Sequence, residues 1–484
     1  MNWYSVFVRS FADSNGDGIG DLPGLIHKLD YLAELGIDGI WLLPVHPAPS
    51  YHKYDVIDYY SIDPEYGTLQ DMKKLISEAH KRNIKVILDL VVNHTSELHP
   101  WFMRAQQNKR SVYRDFYVWK DARYLPPGEE SQWHRPVAGP RSEAYYGLFW
   151  KGMPDLNFDH ERVRANVIDI ARYWLDMGVD GFRLDAAMHI YPPDRNDDNI
   201  RWWQEFRKAL DKTHPHHYLV GEVTESCAFI GPYLRKGLHA CFNFELAEHI
   251  IQAINYGRHD CLVSWLMSVN NYYRDQDPGS RDAMFLSNHD QTRIASRLGG
   301  DLQKIKLAAS ILLTLPGDIY LYYGEELGML GDKPDEHIRE PFLWDKKTAM
   351  SHQWITPQHS TPQTIVPFNR QQENPESVYT HYRNLLQLRR SNPEISNSEI
   401  INVDCKESSI IIFQMKSSSE DWLVMHNLSP YKTTMVHEIN NHRFEIKWKN
   451  QGNILDSSGT FLLEGFGSLI VKSFTWCSKR ETLP

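Results

Sequence analysis

Three carboxylates stand where they can act together on one bond. Asp185 closes Gly181-Phe182-Arg183-Leu184-Asp185, Glu222 closes Leu219-Val220-Gly221-Glu222, and Asp290 follows Phe285-Leu286-Ser287-Asn288-His289. Two carboxyl groups on opposite sides of a glycosidic bond can hydrolyse it, and one route does so with retention. In that route one group attacks the sugar carbon; the other protonates the leaving oxygen and later deprotonates water, which requires a separation of about 5–5.5 Å. The acid must be protonated beforehand, so burial or a nearby anion has to raise its pKa. Arg183, two residues before Asp185, projects from the same side of a strand and is placed to stabilise an ionised nucleophile.

A second group of polar residues lies near the N-terminus, in Asp13-Ser14-Asn15-Gly16-Asp17-Gly18-Ile19-Gly20-Asp21. Asp13, Asn15, Asp17 and Asp21 offer side-chain oxygens at alternate positions, Ile19 offers its carbonyl, and the glycines allow a tight turn. Such a donor set suits a hard cation, and a structural Ca²⁺ is expected. The spacing resembles the start of an EF-hand loop. Position twelve, however, is Gly24 rather than a bidentate Glu, and the loop follows a strand rather than a helix. A metal-free Asx turn is the competing reading.

The elements that must position these groups are legible as short apolar runs. Strands are expected at Tyr4–Val8, Ile37–Leu43, Ile84–Val92, Val179–Leu184, Tyr218–Val220, His239–Phe242, Ala283–Leu286 and Ile319–Tyr322. Helical spacing separates several of them, as at 69–81 and 163–177. Buried strands alternating with helices indicate parallel βα units, and eight of them indicate a (β/α)₈ TIM barrel with its site at the C-terminal strand ends. Each of the three carboxylates falls at or just past such an end. The alternation breaks between residues 95 and 155, which reads as an insertion domain after strand 3. Beyond residue 392, β-like runs separated by polar turns read as a C-terminal antiparallel β-sandwich. The expected domains are therefore 1–94 with 156–392, 95–155, and 393–484.

Four segments resemble the signature regions of the α-amylase family, glycoside hydrolase family 13: Asp89-Leu90-Val91-Val92-Asn93-His94, Gly181 to Asp185, Glu222-Val223, and Phe285 to Asp290. Tyr54-Asp55-Val56, Gly67-Thr68 and 153–158 resemble the flanking motifs, and the order of parts matches. The resemblance implies Asp185 as nucleophile, Glu222 as general acid/base and Asp290 as transition-state stabiliser. It also implies sugar contacts from His94 and His289, ordering of the nucleophile by Arg183, stacking by Tyr54, and substrate-binding places for Asp55 and His189. The N-terminal loop resembles the metal loop of the oligoglucosidase-like branch, and Ile338 to Trp344 resembles a segment of the same branch.

Three departures bear on substrate. Met188 stands where many α-amylases have a Lys on the leaving-group side, and Met cannot donate a hydrogen bond. Tyr51 stands where exo-acting oligoglucosidases place an Asp that grips the terminal sugar, which implies a more open cleft. Val223 after Glu222 accompanies α-1,4 or mixed specificity. An endo-acting α-amylase on starch or maltooligosaccharides is expected, with an oligo-α-glucosidase or a glucan transglycosidase as the alternative. Homologues that lost catalysis and serve as transporter accessories carry a membrane helix and lack the acids.

Bulk properties agree with this frame. The net charge of −10 argues against a nucleic-acid partner, and no apolar run reaches the ~18 residues that span a bilayer. The five cysteines are odd in number and show no C-x-x-C spacing, so reduced, buried thiols are expected rather than disulfides. Without a visible signal peptide a cytoplasmic monomer is expected, or a secreted one if a leader has been removed.

Overall fold

The computed structural model describes residues 1–125, 128, 130–347, 354–403, 405–417, 421–436, 443–454 and 460–474. Eight parallel strands close into a barrel in chain order: β1 (Asn2–Val6), β2 (Gly39–Leu42), β3 (Lys85–Leu90), β4 (Gly181–Leu184), β5 (Tyr218–Gly221), β6 (Ala240–Phe242), β7 (Arg281–Met284) and β8 (Asp318–Tyr322). All eight expected strands are present, with shifted bounds. The first ends at Val6 because Val8–Phe11 turns into a short helix. The seventh begins and ends two residues early. Phe285 and Leu286 are buried by packing rather than by the ladder, and Phe285 meets Phe242 edge-on at 5.7 Å.

Alternate residues of each strand point into the barrel, and aromatic rings fill its floor. Trp3 stacks on Tyr218 at 5.3 Å and on Tyr320 at 5.9 Å, and Trp41 and Phe242 lie at 5.5 Å. Gly39 makes room for this filling, since a Cβ there would sit 2.3 Å from the Trp3 ring. The packed floor keeps the barrel from being a pore and leaves its upper end to hold polar groups.

The insertion folds as a helix, Pro100–Gln107, and a small sheet of Trp119–Asp121, Trp133–His134 and Glu143–Tyr146. Single bridges from His94 to Asp155 and from Tyr117 to Leu156 tie its two ends to the barrel rim. The helix eluded the sequence reading because its apolar face is only two turns long and is bounded by Trp, Pro and Arg.

The C-terminal region forms one antiparallel sheet among the described residues: β9 (Glu399–Asn402), β10 (Ile410–Lys416), β11 (Asp421–Asn427), β12 (Thr433–Val436), β13 (Arg443–Ile454) and β14 (Thr460–Phe474). Both faces are apolar. Ile411, Phe413, Met415, Trp422, Val424 and Ile470 join the barrel's core, while Ile410, Ile412, Leu423, Met425, Leu469 and Val471 build a second cluster with Phe461 and Leu463. This burial on two sides makes the strands read as continuous apolar runs.

Cys227 and Cys241 are buried, but Cys261 is exposed and Cys405 half-exposed, which corrects the expectation of uniformly buried thiols. Cys477 lies outside the described residues. Among the described residues no helix is long and apolar enough to cross a membrane.

Candidate active site

The C-terminal end of the barrel is organised around Arg183. Its strand must approach β5 closely, and Gly181 permits this, since a Cβ there would lie 2.0 Å from the Tyr218 carbonyl oxygen. The Arg183 guanidinium is almost fully buried. Nη1 donates to Asp89 Oδ1 at 2.9 Å and to Asp185 Oδ1 at 2.5 Å, and Nη2 lies 2.8 Å from Glu222 Oε2. One cation thus holds three carboxylates, with Trp41 beneath it at 5.1 Å. Trp41 Nε1 also donates to Asp89 Oδ2 at 3.2 Å.

Ala186, directly after Asp185, adopts φ 46°, an uncommon conformation for a residue with a side chain. The turn aims the Ala186 N–H at Glu222 Oε2, 3.1 Å away. Backbone bonds from Ala187 N to Glu222 O and from Glu222 N to Leu184 O, both 3.1 Å, lock the two strand ends together. Local strain of this kind is tolerated where the surrounding structure fixes it, and it commonly marks functional loops.

Burial raises the pKa of both Asp185 and Glu222, against the opposing pull of Arg183. The negative charge of Asp290 adds to burial at both, and the two carboxylates also repel each other, so ionising one makes it harder to ionise the other. Arg183 lies closer to Asp185, at 2.5 Å, than to Glu222, at 2.8 Å, so Asp185 is the group better suited to ionise and Glu222 the group better suited to carry the proton. Asp290 behaves in the opposite way. Burial pushes it up, but His289, Arg339 and Arg183 together outweigh that and hold its carboxyl below the usual range.

The remaining residues expected at the site fall into two groups. Tyr54 Oη lies 2.5 Å from His289 Nε2 and 3.3 Å from Asp89 Oδ2, its ring parallel to the imidazole at 5.7 Å. His289 Nε2 is 3.1 Å from Asp290 Oδ2, and its Nδ1 is buried with no partner among the described residues. Burial lowers His289 to about 3 and His94 to about 4, so both are neutral imidazoles. His94 lies between Asn93 Oδ1 and the Tyr54 carbonyl, each 3.1 Å from a ring nitrogen, and as a neutral imidazole it donates to one of the two. These residues converge on the Arg183 cluster. Asp55 takes another direction: its carboxylate accepts the Ser50 hydroxyl and lines a separate cavity with Glu97, Leu98 and Trp150. His189 lies nearer the cluster, where its carbonyl accepts Asn93 Nδ2 at 2.6 Å and the charge of Glu222 acts on its ring.

Two residues of the site were not singled out from sequence. Arg339 donates from Nε to the His289 carbonyl at 2.9 Å, from Nη2 to Asp290 Oδ1 at 2.8 Å and from Nη1 to Tyr51 Oη at 3.2 Å. Its segment, Ile338 to Trp344, was the available signal. Phe149, half-exposed on the insertion, meets His94 at 5.5 Å and His189 at 6.0 Å, overhanging the site from a region without periodicity.

In the N-terminal loop, Asp13 accepts the N–H groups of Asn15, Gly16 and Gly18, while Asn15 and Asp17 accept those of Asp17 and Ile19. Asp21 accepts from Ser14 and from Gly24 N, capping the helix Leu22–His27. Among the described residues no three His, Cys, Asp or Glu side chains gather into a metal cluster. The donor types nevertheless fit a hard cation, because a carboxylate offers about four lone-pair sites and even Asp13, with three N–H groups, keeps one free. Gly20 closes the loop onto the preceding helix; its N–H donates to Arg9 O at 2.8 Å, and a Cβ there would meet Val8 O.

Acids gathered around one buried arginine at the C-terminal strand ends of a barrel suit acid–base cleavage of a glycosidic bond. The family model described as "Alpha amylase, catalytic domain" matches residues 5–398. The chain belongs to the α-amylase family, glycoside hydrolase family 13, and is a glycoside hydrolase. It is 43% identical over 475 residues to Alpha-amylase 3 of Dictyoglomus thermophilum, covering 97% of this chain and 92% of that protein. It is 35% identical over 460 residues to a 4-alpha-glucanotransferase of Thermotoga maritima, covering 90% and 100%. The crystal structure of an alpha-amylase from H. orenii superposes with a TM-score of 0.88 at 39% identity, covering 98% and 99%.

Proposed function

We propose that the protein is an endo-acting α-amylase that hydrolyses α-1,4-glucosidic bonds in starch and maltodextrins with retention. Asp185 attacks the anomeric carbon, and Glu222 protonates the leaving oxygen and then deprotonates water. Asp290 grips the sugar as charge develops, and His94, His289 and Tyr54 donate to or pack against that sugar. The observation that carries the endo reading is Tyr51. Where exo-acting relatives place a carboxylate to hold a chain end, this protein places a phenol paired with Arg339 and stacked on Trp354 at 5.1 Å. A time course on starch and on maltotriose tests the reading, with Asp185→Asn as control. Long oligosaccharides must appear early. Glucose as the sole early product would show exo attack.

Glucan transfer is the second reading, favoured by the similarity to the Thermotoga maritima glucanotransferase. The chemistry is the same with a sugar hydroxyl in place of water, and products longer than maltotriose would reveal it.

The N-terminal loop is proposed to bind Ca²⁺ through Asp13, Asn15, Asp17, Asp21 and the Ile19 carbonyl, in a structural role remote from bond cleavage.

A further inference from the structure

We infer that Arg339 is a positioning residue for Asp290, and that Tyr51 acts through it. The Asp290 side chain is 45% exposed, whereas the Asp185 and Glu222 side chains are 10% and 16% exposed. A short carboxylate at an open rim turns about its side-chain bonds unless something holds it. The backbone does not supply that hold: the Asp290 N–H donates to Asn288 Oδ1, and among the described residues its carboxylate meets His289 Nε2 and Arg339 Nη2. His289 is a neutral imidazole already engaged by the Tyr54 hydroxyl at 2.5 Å. The orientation of Asp290 therefore rests chiefly on Arg339.

Arg339 is built for this task. Its side chain is 4% exposed and all three guanidinium nitrogens are engaged. Nε is pinned to the carbonyl of His289, the residue directly before Asp290, so the cation and the carboxylate share one reference point in the backbone. Nη2 reaches Asp290 Oδ1 at 2.8 Å, with Asp335 Oδ2 farther away at 3.5 Å. Nη1 is spent on the Tyr51 hydroxyl, and the Tyr51 ring is wedged between Trp354, stacked at 5.1 Å, and Phe7, edge-on at 6.4 Å. Because the guanidinium is planar, fixing Nε and Nη1 fixes the direction in which Nη2 donates. Tyr51 thus serves as the far anchor of an arm that ends at Asp290.

The inference rests on Asp290 being the transition-state stabiliser, and the experiment separates the two. Asp290→Asn, Arg339→Ala, Arg339→Lys and Tyr51→Phe are compared with the parent for kcat and KM on a maltooligosaccharide, for melting temperature, and for rescue by millimolar guanidinium. Misplacing a catalytic group by about 1 Å costs on the order of 10²-fold in rate. Arg339→Ala is expected to lose about that factor in kcat with KM changed only a few fold, and to regain activity with guanidinium. Arg339→Lys is expected to recover little, and Tyr51→Phe, which keeps the ring stack, to lose several fold in kcat at an unchanged melting temperature. A rise in KM at unchanged kcat in Arg339→Ala overturns the inference, because Arg339 would then simply bind sugar. An activity loss that guanidinium leaves untouched also overturns it, as does full activity in Tyr51→Phe. If Asp290→Asn itself stays active, the role given to Asp290 fails first.

Discussion

Arg183 reaches Asp185 from Nη1 at 2.5 Å and Glu222 from Nη2 at 2.8 Å, so a single buried cation spans the two carboxylates proposed to cleave the bond. It also carries Asp89, which burial raises to about 8 despite the contact. Removing this cation leaves buried acids uncompensated, and breaking a buried pair from one side costs about 3–5 kcal/mol. Arg183→Gln is therefore expected to lose activity and also to unfold several kcal/mol more easily in denaturant. An inactive variant with parental stability would show that the arginine is not a structural keystone of the barrel mouth.

Glu222 offers a cleaner separation of role from scaffold. Its pKa is raised by burial and by the charges of Asp185 and Asp290. In the proposed role the protonated form acts, so activity falls as pH rises through that pKa, and on the acid side it falls as Asp185, also raised by burial, takes up a proton. Glu222→Gln is expected to lose about 10²–10⁴-fold on maltooligosaccharides. The loss shrinks on a substrate whose leaving group needs no proton, such as a glycosyl fluoride, and with that substrate the alkaline limb of the first step disappears. An equal loss on both substrates would contradict acid catalysis by this residue.

The same contrast explains what could be read from the chain beforehand. The barrel strands were legible because a parallel strand buried on both faces is a continuous apolar run, and Asp185 and Glu222 were legible because each ends such a run. The ends of runs misled where burial outlasts the ladder, as at Phe7 and Phe285. Arg339 was not legible as a partner of Asp290. It lies 49 residues away, and a four-residue helix, Asp335–Ile338, delivers it. No local period records such an encounter. Phe149 is similar: its place over His94 and His189 depends on the fold of the insertion, whose sheet is made of strands too short to show alternation. The pairing of the C-terminal strands was likewise out of reach, because two apolar faces give the same pattern whichever neighbours the strands choose.

Beneath the site, Glu325 provides a test in stability rather than activity. Its side chain is buried, Oε1 accepts the Ser287 hydroxyl at 2.6 Å, and Oε2 has no partner among the described residues. Burial raises its pKa from 4.5 to about 8. A carboxyl group raised on folding contributes its stability in full below the unfolded value. That contribution is lost as pH rises through about 8. Stability should therefore fall between about pH 5 and 8 more steeply in the parent than in Glu325→Gln, which keeps the shape and cannot ionise. Chemical denaturation across that range measures the difference, and parallel curves would assign the slope to other groups, such as the neighbouring Glu326, which burial also raises.

The N-terminal loop yields the last prediction. Asp13, Asn15 and Asp17 spend their side-chain oxygens on backbone N–H groups within nine residues of chain, and three of the loop's side chains are carboxylates that repel one another when no cation lies between them. A bound Ca²⁺ would offset that repulsion and stabilise only the folded form. At about 100 times its dissociation constant a ligand adds about 2.7 kcal/mol, which corresponds to a rise of a few degrees in melting temperature. Excess chelator should remove that increment, and Asp17→Asn should weaken the response to added Ca²⁺. Activity at low temperature should change little, because Asp21 and Gly20 continue to fasten the loop through Ser14, Gly24 and Arg9. An unchanged melting temperature in chelator, together with elemental analysis that finds no metal, would falsify the site and leave the loop as a self-capped Asx turn.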